Sequence, residues 1–312
     1  MPTPSPAPNP LRPILLATLG AMLFSSTFLL NRLMATTGGS WVWTAVLRYA
    51  YTALILTGWL LLRGEWTGFW RFWRSSWRLW VLWGSVGIGV FYSLVAVAAE
   101  LSPAWLIAGS FQLVLLSGLL LTPFIYPDHR AKLNFPALRM AGVVVAGVLL
   151  MQVENVAQGF SAKALLGFGM IVVSTFLYPL ANRKVLVYLE TAPVRVSAAH
   201  MVLGLTLGSL PFWAVVSVWG GLTGPGPTPQ QWGYTFVVAL LAGVVATGLF
   251  YYALALAGPN ATLLGAVEAT QSVELLTTVA IEVTLLGAPL PSALSWAGMA
   301  LVVLGIVLYS RL

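Results

Sequence analysis

Along the chain's 312 residues, apolar stretches of about twenty residues recur from end to end, separated by short polar connections. As a helix, a stretch of that length crosses the ~30 Å hydrocarbon layer of a membrane. The pattern predicts spans near residues 14–34, 41–62, 79–99, 103–125, 137–153, 164–183, 194–218, 231–256, 260–284 and 292–310. The chain therefore reads as an all-α integral membrane protein with ten transmembrane helices. Composition agrees: 59% of residues are hydrophobic and 7% charged, against about 25% charged in soluble domains. Mean hydropathy is +0.90.

Ten spans leave no room for a soluble catalytic domain, and no Gly-x-x-x-x-Gly-Lys-[Ser/Thr] phosphate loop is present. The proline-rich start, "MPTPSPAPNPLRP", reads as a disordered tail (1–13). It has no basic opening, and no small-residue cleavage site follows the first apolar run, so 14–34 is read as a retained span. There are no cysteines, which removes disulfides and thiolate metal ligands.

Charge supplies an orientation. The net charge is +7, and its distribution points to the membrane rather than to nucleic acid. With the N-terminus in the cytoplasm, the cytoplasmic segments and span ends hold Arg12, Arg63, Arg71, Arg74, Arg78, Arg130, Lys132, Arg139, Arg183, Lys184, Arg195 and Arg311. Only Lys163 falls in an outer loop, while Arg32 and Arg48 lie inside spans near the outer face. This is the positive-inside bias. The expectation is a multi-pass protein of the inner (cytoplasmic) membrane with both termini cytoplasmic.

Two word pairs suggest a repeat. "STFLLNR" at 26–32 returns as "STFLYPLANR" at 174–183, and "GVFYSLVAVA" at 89–98 returns as "GLFYYALALA" at 248–257. The pairs fall in spans 1 and 6 and in spans 3 and 8. Five spans per copy is an odd number, so the second copy must enter the membrane from the opposite side. Two inverted five-helix repeats result, at 14–156 and 157–312, an architecture of secondary transporters that bind substrate near the midplane.

The words "NRLMATTGGSWVWTAVLRY" (31–49), "PAWLIAGSFQ" (103–112), "YPLANRK" (178–184) and "VEATQSVE" (267–274) resemble the multidrug resistance efflux transporters of the drug/metabolite transporter superfamily (EamA-like). The resemblance to YddG-type aromatic amino acid exporters is more distant. The resemblance covers essentially all ten spans and implies a ten-helix basket that exports small organic molecules.

The stretch "GAVEATQSVELLTTVAIEV" (265–283) carries three glutamates inside a span. At ~100° per residue, with Glu268 at zero, Glu282 falls near about −40°, Gln271 about −60°, Thr278 about −80° and Glu274 about −120°. Such a stripe faces protein or a water-filled cavity, not lipid. A rise of ~1.5 Å per residue puts Glu268 ~12 Å deep and Glu274 ~21 Å deep. Either could hold a proton or a substrate cation, because burial favours the neutral carboxyl. Alternatively, the glutamates pair with Arg32 or Arg48, the latter lying ~10 Å below the outer face.

Asn31 and Asn182 occupy matching places in the two copies, where each can hydrogen-bond between helices or touch substrate. Pro179 interrupts the hydrogen-bond ladder of span 6 three residues before Asn182. Gln112, ~14 Å into span 4, is a candidate cavity donor and acceptor. Tyr92 and Tyr178 are mid-span aromatics with hydroxyls, and Glu100 reads as a loop charge. The candidate substrate or coupling set is thus Glu268, Glu274, Gln271, Gln112, Arg48, Tyr92, Tyr178, Asn31 and Asn182. In "EWTGFWRFWRSSWRLWVLW", tryptophans at helical spacing interleaved with Arg71, Arg74 and Arg78 fit an interfacial helix on the cytoplasmic side. Two scattered histidines make no metal site.

The expected function is secondary transport: export of small amphipathic molecules, aromatic or cationic, with protons as candidate coupling ion. Export of amino acids, especially aromatic ones, is the competing substrate class. An intramembrane enzyme would need a nucleophile–base or metal constellation, and none is visible; a lipid-binding scaffold is the other competitor. No cofactor is expected, and neither nucleic acid nor a particular oligomeric state is implied. Single cysteines can be introduced without background: one replacing Ser75 should react with an impermeant thiol reagent from the inside, one replacing Gly224 from the outside. Labelling with the sides exchanged overturns the orientation.

Overall fold

Each long apolar segment forms a helix, and the residue that starts it is often a short polar one whose side chain binds a free amide. Ser40 accepts from Val42 N (3.2 Å), Ser197 from His200 N (3.3 Å) and Asn260 from Leu263 N (3.0 Å). Thr228 and Gln231 form a reciprocal capping box. The computed structural model describes residues 11–157, 162–192, 196–258 and 260–312. Most of the predicted N-terminal tail (residues 1–10) and Arg195 lie outside the described residues.

The helices are α1 (Leu11–Thr36), α2 (Trp41–Leu62), α3 (Trp66–Ser75), α4 (Trp77–Leu101), α5 (Ala104–Ile125), α6 (Phe135–Ala157), α7 (Ala162–Glu190), α8 (Ala198–Thr223), α9 (Pro229–Ala257), α10 (Ala261–Ala269 continuing as Ser272–Thr284) and α11 (Ala293–Tyr309). No strand occurs among the described residues. Eight helices are long and apolar enough to cross a membrane: α1, α2 and α4 to α9. Helix α11 is apolar but has 17 residues, and α10 is interrupted. These two segments correspond to the ninth and tenth predicted spans.

Five of these helices depart from regular winding, among them α1, which is interrupted at Ser25. Six residues of α4 (Ser85–Val90) and eight of α9 (Ala239–Ala246) are wound as π-helix. α5 breaks at Gln112 and Leu113, and α10 at Thr270 and Gln271. Pro179, by contrast, sits inside α7 without ending it.

Packing follows a repeated pairing. α7 lies on α4 and α5, and α1 lies correspondingly on α9 and α10. α6 and α11 pair with each other to one side. Small residues allow the closest approaches. A Cβ built on Gly208 would overlap the Trp80 carbonyl oxygen, and one on Gly147 would lie 2.5 Å from that of Gly298. Trp80 is fully buried against Gly204 and Gly208.

α3 has the expected amphipathic character. Phe69 and Phe72 are buried, whereas Arg71 and Arg74, like Arg78 at the start of α4, are exposed. Trp66, Trp70 and Trp73 stack in sequence, with centroids 5.6 and 5.2 Å apart. Trp73 donates its Nε1–H to Gly204 O at 3.0 Å, tying α3 to α8. At this basic face, Arg130 donates to Glu190 (2.5 Å) and Asp128 (2.8 Å), which hold its guanidinium firmly charged.

Gly208→Ala should lower the unfolding temperature in detergent by an amount equivalent to about 1–3 kcal/mol, the usual cost of overpacking. Gly248→Ala, with nothing within 4 Å of its Cβ, should leave it nearly unchanged.

Candidate functional site

The helices enclose a cavity of about 240 Å³ lined by α1, α2, α4, α5, α7, α8, α9 and α10. Its wall is rich in aromatic side chains. Phe91 lies 5.1 Å from Tyr178 and 5.9 Å from Phe111, and Phe111 lies 6.0 Å from Phe28 (ring centroids). Thr52, Thr206 and Thr247 add hydroxyls. The lining reaches Met201 and Val202 in the first turn of α8, so the cavity extends toward the face that carries α3.

At the other end it is closed by packed rings and hydrogen bonds. Tyr49 stacks on Trp213 (5.5 Å, 12°) and meets Tyr92 edge-on (5.2 Å). The Tyr92 hydroxyl donates to Asn31 Oδ1 at 2.9 Å. Nearer the surface, Gln231 Nε2 donates to Ser40 O (2.7 Å) and Thr44 Oγ1 (2.9 Å), joining α9 to α2.

Six of the nine candidate residues line this cavity: Arg48, Tyr92, Tyr178, Asn182, Gln271 and Glu274. The Arg48 guanidinium lies over the Tyr92 ring at 4.2 Å and near that of Tyr49 at 5.5 Å. It makes no ion pair among the described residues, and its Nη1 is buried with no hydrogen-bond partner. Pairing of Arg48 with a glutamate is thus not what the structure has. Glu274 is half-buried on the second segment of α10. Tyr178 stands within electrostatic range of both Arg48 and Glu274. Tyr178 is 43% exposed and lines the cavity. Asn182 donates to Tyr178 O in its own helix (2.8 Å).

The remaining three lie elsewhere. Asn31 is buried behind Tyr92. Gln112 is buried at the α5 break and donates to Ala108 O (3.3 Å). Glu268 is exposed on the first segment of α10, in range of Tyr309. The single stripe expected from Glu268 to Glu282 is therefore split. The break at Thr270 and Gln271 interrupts the regular winding on which the ~100° count depends.

Glu282 has a structural task. Its two carboxylate oxygens accept from Ala104 N (2.9 Å) and Trp105 N (2.8 Å), capping α5 where Pro103 leaves its first amides free. Arg32 binds the Ala99 and Glu100 carbonyls rather than a glutamate side chain. Glu100 is more than a loop charge, since it accepts from Trp41 N (3.0 Å). Sequence reasoning missed Tyr49, Phe28, Phe91, Phe111 and Tyr251 as lining residues. The adjacency of Tyr49 to Arg48 and of Phe91 to Tyr92 was the available signal.

A bundle of helices long and apolar enough to cross a membrane, around a central cavity rich in aromatic rings with one acid and one base, fits a multi-pass membrane protein of transporter type. The comparisons name the family. The model described as "Putative multidrug resistance efflux transporter" (EmrE) matches residues 11–312, and the chain belongs to that family. The "Uncharacterized protein YjlA" of Bacillus subtilis (strain 168) is 34% identical over 310 residues, covering 96% of this chain and 94% of that protein. A 42.1 kDa protein of Shouchella clausii, described as uncharacterized, is 34% identical over 249 residues, covering 78% of this chain and 65% of its own length. A crystal structure 17% identical in sequence shares the fold, with a TM-score of 0.64 and 95% of this chain covered.

Glu282→Gln should lower thermal stability by about 1–3 kcal/mol, because a charge-assisted hydrogen-bond pair is weakened. It should leave the relative affinities for different ligands unchanged. Differential scanning fluorimetry alongside ligand titration checks both. A normal unfolding temperature with altered ligand selection would contradict the capping role.

Proposed function

We propose that the protein is a secondary transporter exporting small amphipathic organic molecules from the cytoplasm through this cavity. The observation that carries the reading is the placement of a half-buried acid, Glu274, in an aromatic-lined chamber about 20 Å from the start of α10, near mid-membrane. The chamber extends toward the face bearing α3 and most of the basic residues, which is the cytoplasmic side by the positive-inside rule. In this reading the structure is open inward, and Glu274 exchanges a proton for substrate. The groups lining the same cavity that bear on its charge are Arg48, Tyr49, Tyr92, Tyr178, Tyr251 and Gln271.

Ten spans in two inverted repeats fit this mechanism. Support comes from features that recur in matching order: π-helical turns in α4 and α9, breaks beside Gln112 and Gln271, and the peripheral pair α6 and α11. The packing of α7 on α4 and α5 mirrors that of α1 on α9 and α10. Exchange of such matched contacts interconverts inward-open and outward-open states.

Expression in an efflux-deficient host should confer resistance to amphipathic aromatic compounds. In proteoliposomes, Glu274→Gln should cut pH-gradient-driven accumulation of such a compound at least about tenfold, a loss typical of removing a group that must change protonation, while exchange of labelled for unlabelled compound persists. Undiminished gradient-driven transport in the variant would remove Glu274 from the coupling step.

A further inference from the structure

Helix α3 presents three kinds of residue in successive sectors. With Phe69 at zero and ~100° per residue, Phe72 falls at about −60°, Trp73, Trp66 and Trp70 at about 40–100°, and Arg74 and Arg71 at about 140–200°. The phenylalanines are buried against the bundle. Arg71, Arg74 and Arg78 are exposed and make no ion pair among the described residues. The nearest acid along the chain, Glu65, lies 3.3 Å from Arg63 Nε and 3.5 Å from His200 Nε2. Indole rings beside free guanidinium groups, where α2 ends and α4 begins, match the headgroup layer of a bilayer. The same helix bears on the cavity through α8. Met201, Val202, Leu205 and Thr206 line the cavity. On the same turns, His200 meets the Phe69 ring (5.6 Å), Leu203 shares a buried cluster with Phe69, and Gly204 O accepts from Trp73 Nε1 (3.0 Å). At ~100° per residue the two sets centre about half a turn apart. One face of these turns meets the cavity, and the opposite face meets α3.

We propose that α3 docks on anionic phospholipid headgroups of the cytoplasmic leaflet, and that this contact holds the cytoplasmic mouth of the cavity open. Lipid phosphates bind Arg71, Arg74 and Arg78 and draw α3 toward the leaflet. The pull reaches the first turns of α8 through Trp73 and Phe69. Because α3 and the cavity lie on opposite faces of those turns, the pull is directed away from the cavity. The occupant is a membrane because α2 and α4, both long and apolar enough to span, fix α3 at its surface, and the unpaired charges there are all positive. The inference takes its meaning from the reading of the cavity as an export path, but its test needs no transported compound.

The test uses the full-length protein in nanodiscs of phosphatidylcholine alone and of phosphatidylcholine mixed equally with phosphatidylglycerol. The chain has no cysteine, so Ala199→Cys and Thr262→Cys, at the starts of α8 and α10, can carry a pair of spin labels whose separation reports the mouth. The anionic lipid should raise the ratio of wide to narrow separations at least about fivefold, the factor that one arginine near an anionic surface contributes. Replacing Arg71, Arg74 and Arg78 together by Gln should remove that response, and replacing them by Lys should keep most of it. Trp73→Phe, which deletes the bond to Gly204 and leaves the arginines, should weaken it. An unchanged or narrowed separation with the native arginines in place overturns the proposal, whether or not the variants fold. A full response in the glutamine variant overturns it as well. The same shift produced by inorganic phosphate in the neutral discs would assign the arginines to a soluble anion and overturn the lipid docking. All of these outcomes leave the export reading standing, since that is decided by the resistance and proteoliposome assays.

Discussion

A peptide group inside a bilayer has no water to bond, and this constraint governs the molecule. Wherever the chain faces lipid it must keep its helical ladder intact; only where it faces protein or a water-filled space can the ladder be interrupted. The interruptions are confined accordingly. The π-helical turns of α4 and α9 and the breaks in α5 and α10 involve helices that line the central cavity. α6 and α11, the peripheral pair, are regular throughout. Irregular backbone is thus found in helices that line the chamber.

The same low-dielectric setting determines which side chains have defined work. Glu282 and Gln231 are nearly inaccessible, yet each is provided with partners across a helix interface. They bind elements together. Arg48 and Glu274 are only half-buried and lack such partners, and both line the cavity instead. The contrast separates polar groups that stabilise the fold from those available to a ligand. A charge whose partners are all intramolecular has little left to offer a guest.

Much of the fold was legible in the sequence. Apolar length alone located the helices, and α2 runs over the predicted residues, 41–62. The site was legible where a charged residue stood inside an apolar span, as with Arg48 and Glu274. It was not legible where rotation about the helix axis decided the outcome. Phe91 and Phe111 lie in helices that are apolar on nearly every side, so nothing in the pattern distinguishes a cavity-facing ring from a lipid-facing one. Counting angles along α10 failed at Thr270 and Gln271, because no proline or glycine marks that break. Glu268 was consequently grouped with Glu274 although the two carboxylates face different surroundings.

The cap that Glu282 places on α5 has a mechanical consequence. Its carboxylate, carried by the last turns of α10, clasps the first amides of α5 at the face where the cavity is shut. The contact acts as a clasp rather than a hinge: parting the two helices would break both hydrogen bonds together. Water entering the opened gap can bond the carboxylate and the amides at once, so the clasp can release and re-form without leaving any group stranded. A seal made only of packed rings would have no such solvated alternative.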